Sequence, residues 1–330
     1  MMTAAAIRGS AACTLGFLCM ALAGCGSASA TGGSGSTVHP PPRSSAAMAF
    51  DPLGHSILLY GGVDVAQTTE ASRYDTWSWS GSWKQYDGFS PKVADPALAY
   101  DRAHHQMILV GLTSAVYDAD SARFAETVET WVWDGRAWAN PHPVALPHRS
   151  LDPPALAYDA VAGEMILVER EPDVGETMWR WTGGGWAPIP TAARGTPGSL
   201  PAHPRVLITA PDGRVSTTEG EVEEWDGQAW RATGLVLPGG AIAAVDPSAH
   251  RWVVYAFGMR GLDDSATLIA SGPGSVRRVS SAHAPPARSE AGIAFDPTTG
   301  AVVLFGGHAA LVPGGLADTW VWNGSDWSRG

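Results

Sequence analysis

Asp75 to Trp83 reads DTWSWSGSW, three tryptophans in nine residues, and Asp318 to Trp327 reads DTWVWNGSDW. Such a phrase occurring twice is either a twin aromatic site or one unit of a repeat. Between the two copies stand WVWDGRAW (131–138), WRWTGGGW (179–186) and EEWDGQAW (223–230), which favour the repeat. In a β-strand, side chains alternate faces, so W-x-W puts both rings on one side. The Ser-Gly, Asp-Gly and Asn-Gly pairs that follow predict a two-residue reversal into a further strand carrying the last tryptophan.

Working outward, a second phrase precedes each of these. AMAFD ends at Asp51, ALAYD at Asp101 and again at Asp159, AIAAVD at Asp246 and GIAFD at Asp296, at intervals of 50, 58, 87 and 50 residues. The long interval hides a degenerate copy, PRVLITAPDG, whose aspartate is Asp212. After each aspartate comes a short turn, then an apolar run such as ILLYGG (57–62), MILVG (107–111) or AVVLFGG (301–307). In the fifth copy TLIASGPGSV stands where the tryptophan phrase is expected. Four short β-runs recurring about every 50 residues predict propeller blades. The expected fold is all-β: a six-bladed propeller over residues 43–330, four antiparallel strands per blade. The chain starts on a first strand and ends on a fourth, so the ring is expected to close by packing blade six on blade one. Val38–Pro42 is left as a possible edge strand.

The bulk numbers agree. Of 330 residues, 39 are Gly, 25 Pro and only 16% charged, which suits short strands and tight turns. The formal charge of −11 argues against nucleic acid or an anionic membrane surface as a general partner. The three cysteines are Cys13, Cys19 and Cys25, so the body has no disulfide, no Cys-ligated metal and no thiol nucleophile.

The N-terminus reads as an address. Arg8 precedes an apolar run, Ala11 to Leu22, too short to favour a spanning helix. The run ends in Leu22-Ala23-Gly24-Cys25, which resembles the bacterial lipobox at all four positions. That resemblance implies cleavage after residue 24 and lipidation of Cys25. Residues 1–24 are thus expected to be a lipoprotein signal peptide and 25–42 a lipidated cysteine with a Gly/Ser/Pro tether. The predicted location is the extracytoplasmic side of the cell membrane, held by acyl chains.

The order of apolar strand, Asp turn, strand ending in Gly-Gly, variable loop and W-x-W-x-G-x-x-W resembles the kelch repeat in the form common in bacterial proteins. The double glycine survives at Gly61-Gly62 and Gly306-Gly307. Galactose oxidase, a relative of that repeat, uses copper and a crosslinked Cys and Tyr; a body without cysteine excludes that chemistry. Other six-bladed propellers act on sialic acids, but no copy here contains the sialidase Asp-box. No cofactor and no metal site is expected: His55, His104, His105 and His250 fall in turns, and the strand-end aspartates read as turn formers.

A cation stands before strand one in five copies: Arg43, Lys92, Arg149, Arg205 and Arg288. Up-down strand topology puts these at one channel mouth, on the same face as loops 63–74, 112–127 and 308–317, where recognition should occur. In the kelch family this face often binds partners, and arginines there contact carboxylates. Two readings stay open. The arginines either brace the ring against acids such as Asp75, Glu126, Glu129 and Asp318, or bind a carboxylate ligand bidentately. The expected function is a monomeric, non-catalytic module binding a protein, peptide or acidic ligand at that face. The alternative is a carbohydrate-active propeller, a sialic-acid epimerase-like enzyme or a lectin. An enzyme would need an acid–base pair at the mouth, and no motif picks one out.

Overall fold

The computed structural model describes residues 38–64, 71–113, 116–118, 123–141, 146–148, 153–171, 175–190, 206–218, 220–258, 264–309 and 315–330. Six sheets of antiparallel strands follow one another, each with its four blade strands in sequence order. Blade one comprises Ala47–Asp51, Ser56–Tyr60, Thr76–Trp79 and Trp83–Gln85. The first strands of the others are Ala94–Asp101, Ala155–Asp159, Leu207–Thr209, Ile242–Asp246 and Gly292–Asp296. Each first strand lies against that of the next blade, and Gly292–Asp296 lies against Ala47–Asp51, so the ring closes into a β-propeller. Val38–Pro42 adds no strand. Closure rests on packing, as expected, supplemented by the lead-in to blade one. The Arg43 N–H donates to Leu316 O at 3.2 Å, and the Gly307 N–H donates to Arg43 O at 2.8 Å.

The tryptophans fill the seams between blades. Trp77, Trp79 and Trp83 pack with Ala294, Val303 and Phe305 of blade six. Most fourth-strand tryptophans also reach across a seam by hydrogen bond. The Nε1 of Trp83 donates to Thr319 Oγ1 at 2.7 Å, that of Trp138 to Thr76 at 3.0 Å, that of Trp186 to Thr130 at 2.7 Å and that of Trp327 to Thr267 at 2.7 Å. The threonine is always the donor blade's predecessor in the ring. A ring this large lets an aromatic body be buried while its N–H still finds a partner. Blade five has no tryptophan in its third or fourth strand; its third strand, Ser265–Ala270, ends on a small residue, and its tryptophan, Trp252, is buried in the second strand.

The turns are made by the aspartates. Asp51, Asp101, Asp159, Asp246 and Asp296 are buried. Their side chains accept N–H groups two or three residues on, as in Asp159 with Val161 and Ala162, both at 2.9 Å. The last turn residue is left-handed: His55 (φ 48), His105 (φ 53) and His250 (φ 46) stand where Gly163 (φ 74) and Gly300 (φ 69) stand in other blades. These histidines are turn residues by conformation. Asp212 departs from the pattern: it lies within the turn after Leu207–Thr209, and its carboxylate accepts the Arg214 N–H at 3.0 Å. The hairpin before each last tryptophan also differs from the two-residue expectation. Trp133 pairs with Trp138 across four residues. Asp134 is the first of them, and its Oδ1 accepts the Arg136 and Ala137 N–H groups at 2.8 and 2.9 Å. Glycine supplies the positive φ one residue later, 92° at Gly135.

Candidate functional site

At the mouth of the ring where the first strands begin, blades one and six carry the same device. The Arg43 fork donates to both oxygens of Asp75, Nη1 to Oδ1 at 2.6 Å and Nη2 to Oδ2 at 2.9 Å. Nη1 also donates to Gly61 O at 2.9 Å and Nε to Pro41 O at 3.1 Å. Arg288 repeats this with Asp318 at 2.5 and 3.0 Å, Gly306 O at 3.0 Å and Pro286 O at 3.0 Å. A tryptophan two residues beyond each aspartate adds a further donor, Trp77 at 2.7 Å and Trp320 at 2.8 Å. The double glycines belong to the same device. Gly62 (φ 98) and Gly307 (φ 99) let the strand-one lead-in pass so close that an added Cβ would sit 2.5 Å from Ser44 O or 2.7 Å from Ser289 O. In these two blades the first glycine of the pair supplies the carbonyl the arginine binds, and the second leaves room for the lead-in.

Arg43 and Arg288 are 0% and 1% exposed. Their donors are directed into the blade, so in this structure both are braces. Burial by itself would raise the Asp75 and Asp318 carboxyls; the arginine hydrogen bonds and charge, with the tryptophan N–H, outweigh it and hold both below the ordinary 3.8. A carboxyl whose folded value is depressed stabilises the fold above its unfolded value, and this is lost as pH falls through the folded value. We therefore expect an acid limb in stability beginning near pH 4 and steepening below it. Urea midpoints across pH 2–6 check this, and the limb should shrink when Arg43 is replaced.

Lys92 is a different case. Arg43 and Arg288 stand eight residues before Asp51 and Asp296; eight before Asp101 stands Val93, not Lys92. Val93 is fully buried and fills the arginine's place against Gly111, where an added Cβ would meet its Cγ2 at 2.7 Å. Lys92 is one residue out of register and exposed, with no ion pair among the described residues. The cations therefore do not form one equivalent ring. Arg149, Arg205 and Cys25 lie outside the described residues. Of the expected recognition loops, 63–74 and 112–127 contain strand: Val63–Asp64 pairs with Ala71–Ser72, Val116–Asp118 pairs with the start of Arg123–Trp133, and Leu146–His148 pairs with Glu126–Val128 of the same strand. No group of three or more His, Cys, Asp or Glu able to hold a metal occurs among the described residues.

One feature of this face escaped the motif reading. The connection from blade one to blade two carries Phe89, 60% exposed, with its ring 5.4 Å from that of half-buried Trp131. It is a linker residue outside every repeated phrase, so periodicity gives no signal for it.

No protein-family model matches the chain, and no curated protein matches it in sequence. Solved structures do match in fold. AofleA from Arthrobotrys oligospora is 14% identical, with a TM-score of 0.54 over 87% of this chain and 85% of that one. SapL1 lectin, in complex with alpha methyl fucoside, is 16% identical, with a TM-score of 0.53 over 88% and 96%. An Aleuria aurantia lectin in complex with Fucalpha1-6GlcNAc is 14% identical, with a TM-score of 0.53 over 88% and 96%. At these identities the likeness is one of fold.

Proposed function

We propose that this chain is a carbohydrate-binding propeller of the kelch-like type, displayed outside the cell membrane through a lipidated Cys25. The observation that carries the ligand class is the internal neutralisation of Arg43 and Arg288 at the mouth. Arg43 and Arg288, the two described arginines that recommended an acidic ligand or peptide, are buried against Asp75 and Asp318. What the same face leaves open to solvent in their place includes an aromatic ring, Phe89. Hydroxyl-rich, uncharged ligands suit such a surface better than anions do. The propeller neighbours support the same class, since two of them are lectins in complex with fucose-containing sugars.

The test is a glycan panel, beginning with methyl α-fucoside and extending to other neutral, acidic and amino sugars, with thermal stability and calorimetric titration as readouts. Saturable binding of a neutral sugar supports the reading; no binding across the panel sinks it. The anchor rests on the lipobox resemblance and the apolar run before it. Cys25→Ala is expected to move the protein from the membrane fraction to the soluble one. Unchanged partitioning of that variant removes the anchor from the proposal.

A further inference from the structure

Blade two departs from the brace of blades one and six at one residue, and that departure leaves a carboxylate open. Glu129 stands at the head of strand three in blade two, where Asp75 and Asp318 stand in theirs: it pairs with Gly111 as Asp75 faces Gly61. Like them it accepts from the tryptophan two residues on, Trp131 Nε1 to Oε2 at 3.0 Å. Unlike them it has no arginine, because Val93 fills that position. Among the described residues Glu129 makes no ion pair, and its second oxygen accepts no hydrogen bond. In a repeat protein, what recurs in each unit is structural; a single unit that keeps the acceptor and discards its cation has kept it for another donor.

Beside this carboxylate lies the aromatic pair. Trp131 packs into the seam between blades one and two with Tyr86 and Trp133. Phe89 sits over it at 5.4 Å with the rings tilted by 44°. The linker that holds Phe89 is pinned on both sides. The Tyr86 N–H donates to Thr76 O at 2.9 Å, Ser90 Oγ bonds Thr76 Oγ1 at 2.8 Å, and Tyr60 Oη donates to Pro91 O at 2.7 Å. A large aromatic residue held on a fixed backbone and still mostly exposed is a preorganised contact surface.

Resting on the carbohydrate reading above, we propose that Phe89, Trp131 and Glu129 form a sugar subsite in the blade one–blade two seam, selective for neutral over acidic pyranosides. The C–H face of the ring stacks on Phe89, whose π-face is negative. Sugar hydroxyls donate to the open oxygen of Glu129 in a charge-assisted bond. The two rings touch, so they form a platform rather than a cage with room for a cation between them. Glu129, with exposed Asp87 two residues from Phe89, outnumbers exposed Lys92 and repels carboxylated sugars. The same arrangement is absent from blades one and six, where the arginine already occupies the acceptor.

The experiment uses the full chain and titrates methyl α-fucoside, methyl α-mannoside, methyl β-galactoside, N-acetylneuraminic acid and choline, followed by calorimetry and tryptophan fluorescence. The expected result is that one or more neutral pyranosides bind, that N-acetylneuraminic acid binds at least tenfold more weakly, and that choline does not bind. Phe89→Ala should weaken the neutral sugar at least tenfold, Glu129→Gln about fivefold, and Phe89→Trp should preserve binding. Both positions are at the surface, and an unchanged near-ultraviolet circular dichroism spectrum confirms the fold of each variant. Sugar binding unaltered by both Phe89→Ala and Glu129→Gln overturns this subsite while leaving the carbohydrate function standing. Preference for choline or for the acidic sugar overturns the proposed chemistry. No binding of any sugar to the unmodified chain overturns the function and the subsite together.

Discussion

Arg43→Ala is expected to destabilise the propeller by about 3–5 kcal/mol, the usual cost of removing one partner from a buried ion pair. The deletion strands the Asp75 carboxylate, 23% exposed, with only the Trp77 N–H, and leaves Gly61 O without the donor it has now. It also releases the side chain of the residue whose own backbone bonds Leu316 and Gly307 across the closing seam. Urea unfolding followed by tryptophan fluorescence reads the change. Arg43→Lys keeps the charge but not the planar fork, and should recover only part of the loss. The double variant with Asp75→Ala should cost less than the two single changes added together, because the two side chains form one unit. A variant of Arg43 that stays fully stable yet loses a ligand would restore the recognition reading for this position.

Trp83→Ala should cost a similar amount, about 3–5 kcal/mol. Trp83 joins the closure both by packing and by a hydrogen bond. Its ring packs 5.1 Å from Phe305 and 5.2 Å from Trp79, and its Nε1 donates to Thr319 Oγ1 across the seam. A seam without a shared strand is held by side-chain packing, such bonds and the backbone bonds of the Arg43 lead-in. Trp83→Phe keeps most of the packing and loses the bond, so its expected cost is nearer 1 kcal/mol. Thermal unfolding of both variants separates the two contributions. Equal losses would mean that the hydrogen bond carries the seam; no loss in either would mean that closure rests on the Arg43 lead-in.

Much of this was legible in the residues. DTWSWSGSW and its relatives show two-residue periodicity, a turn glycine and a returning tryptophan, and their spacing repeats. Periodicity of that kind depends on local backbone geometry, so it survives in sequence even where copies are degenerate. The six-blade count follows from it, including blade five without its tryptophan phrase. The turn aspartates and histidines were likewise readable, because a capped turn with one left-handed residue is settled within five positions. Asp212 does not end a strand as the other aspartates do: in blade four the first strand stops at Thr209 and the turn runs to Val215, and only strand pairing shows where the strand stops.

What the sequence could not decide was which cations are braces and which are out of register. Arg43 and Lys92 both precede a first strand after proline, but a shift of one residue turns a side chain to the other face of the chain. The pairing of Ala97–Asp101 with Gln106–Val110, and the irregularity before it between Ala94 and Ala97, put Val93 rather than Lys92 in the arginine's place. Whether an arginine is open to a ligand or closed by an aspartate some 30 residues away is likewise a property of the folded blade. Local repetition determined the propeller; the register of each lead-in, together with the burial it brings, decided that Asp75 and Asp318 are sealed while Glu129 stays open beside Phe89.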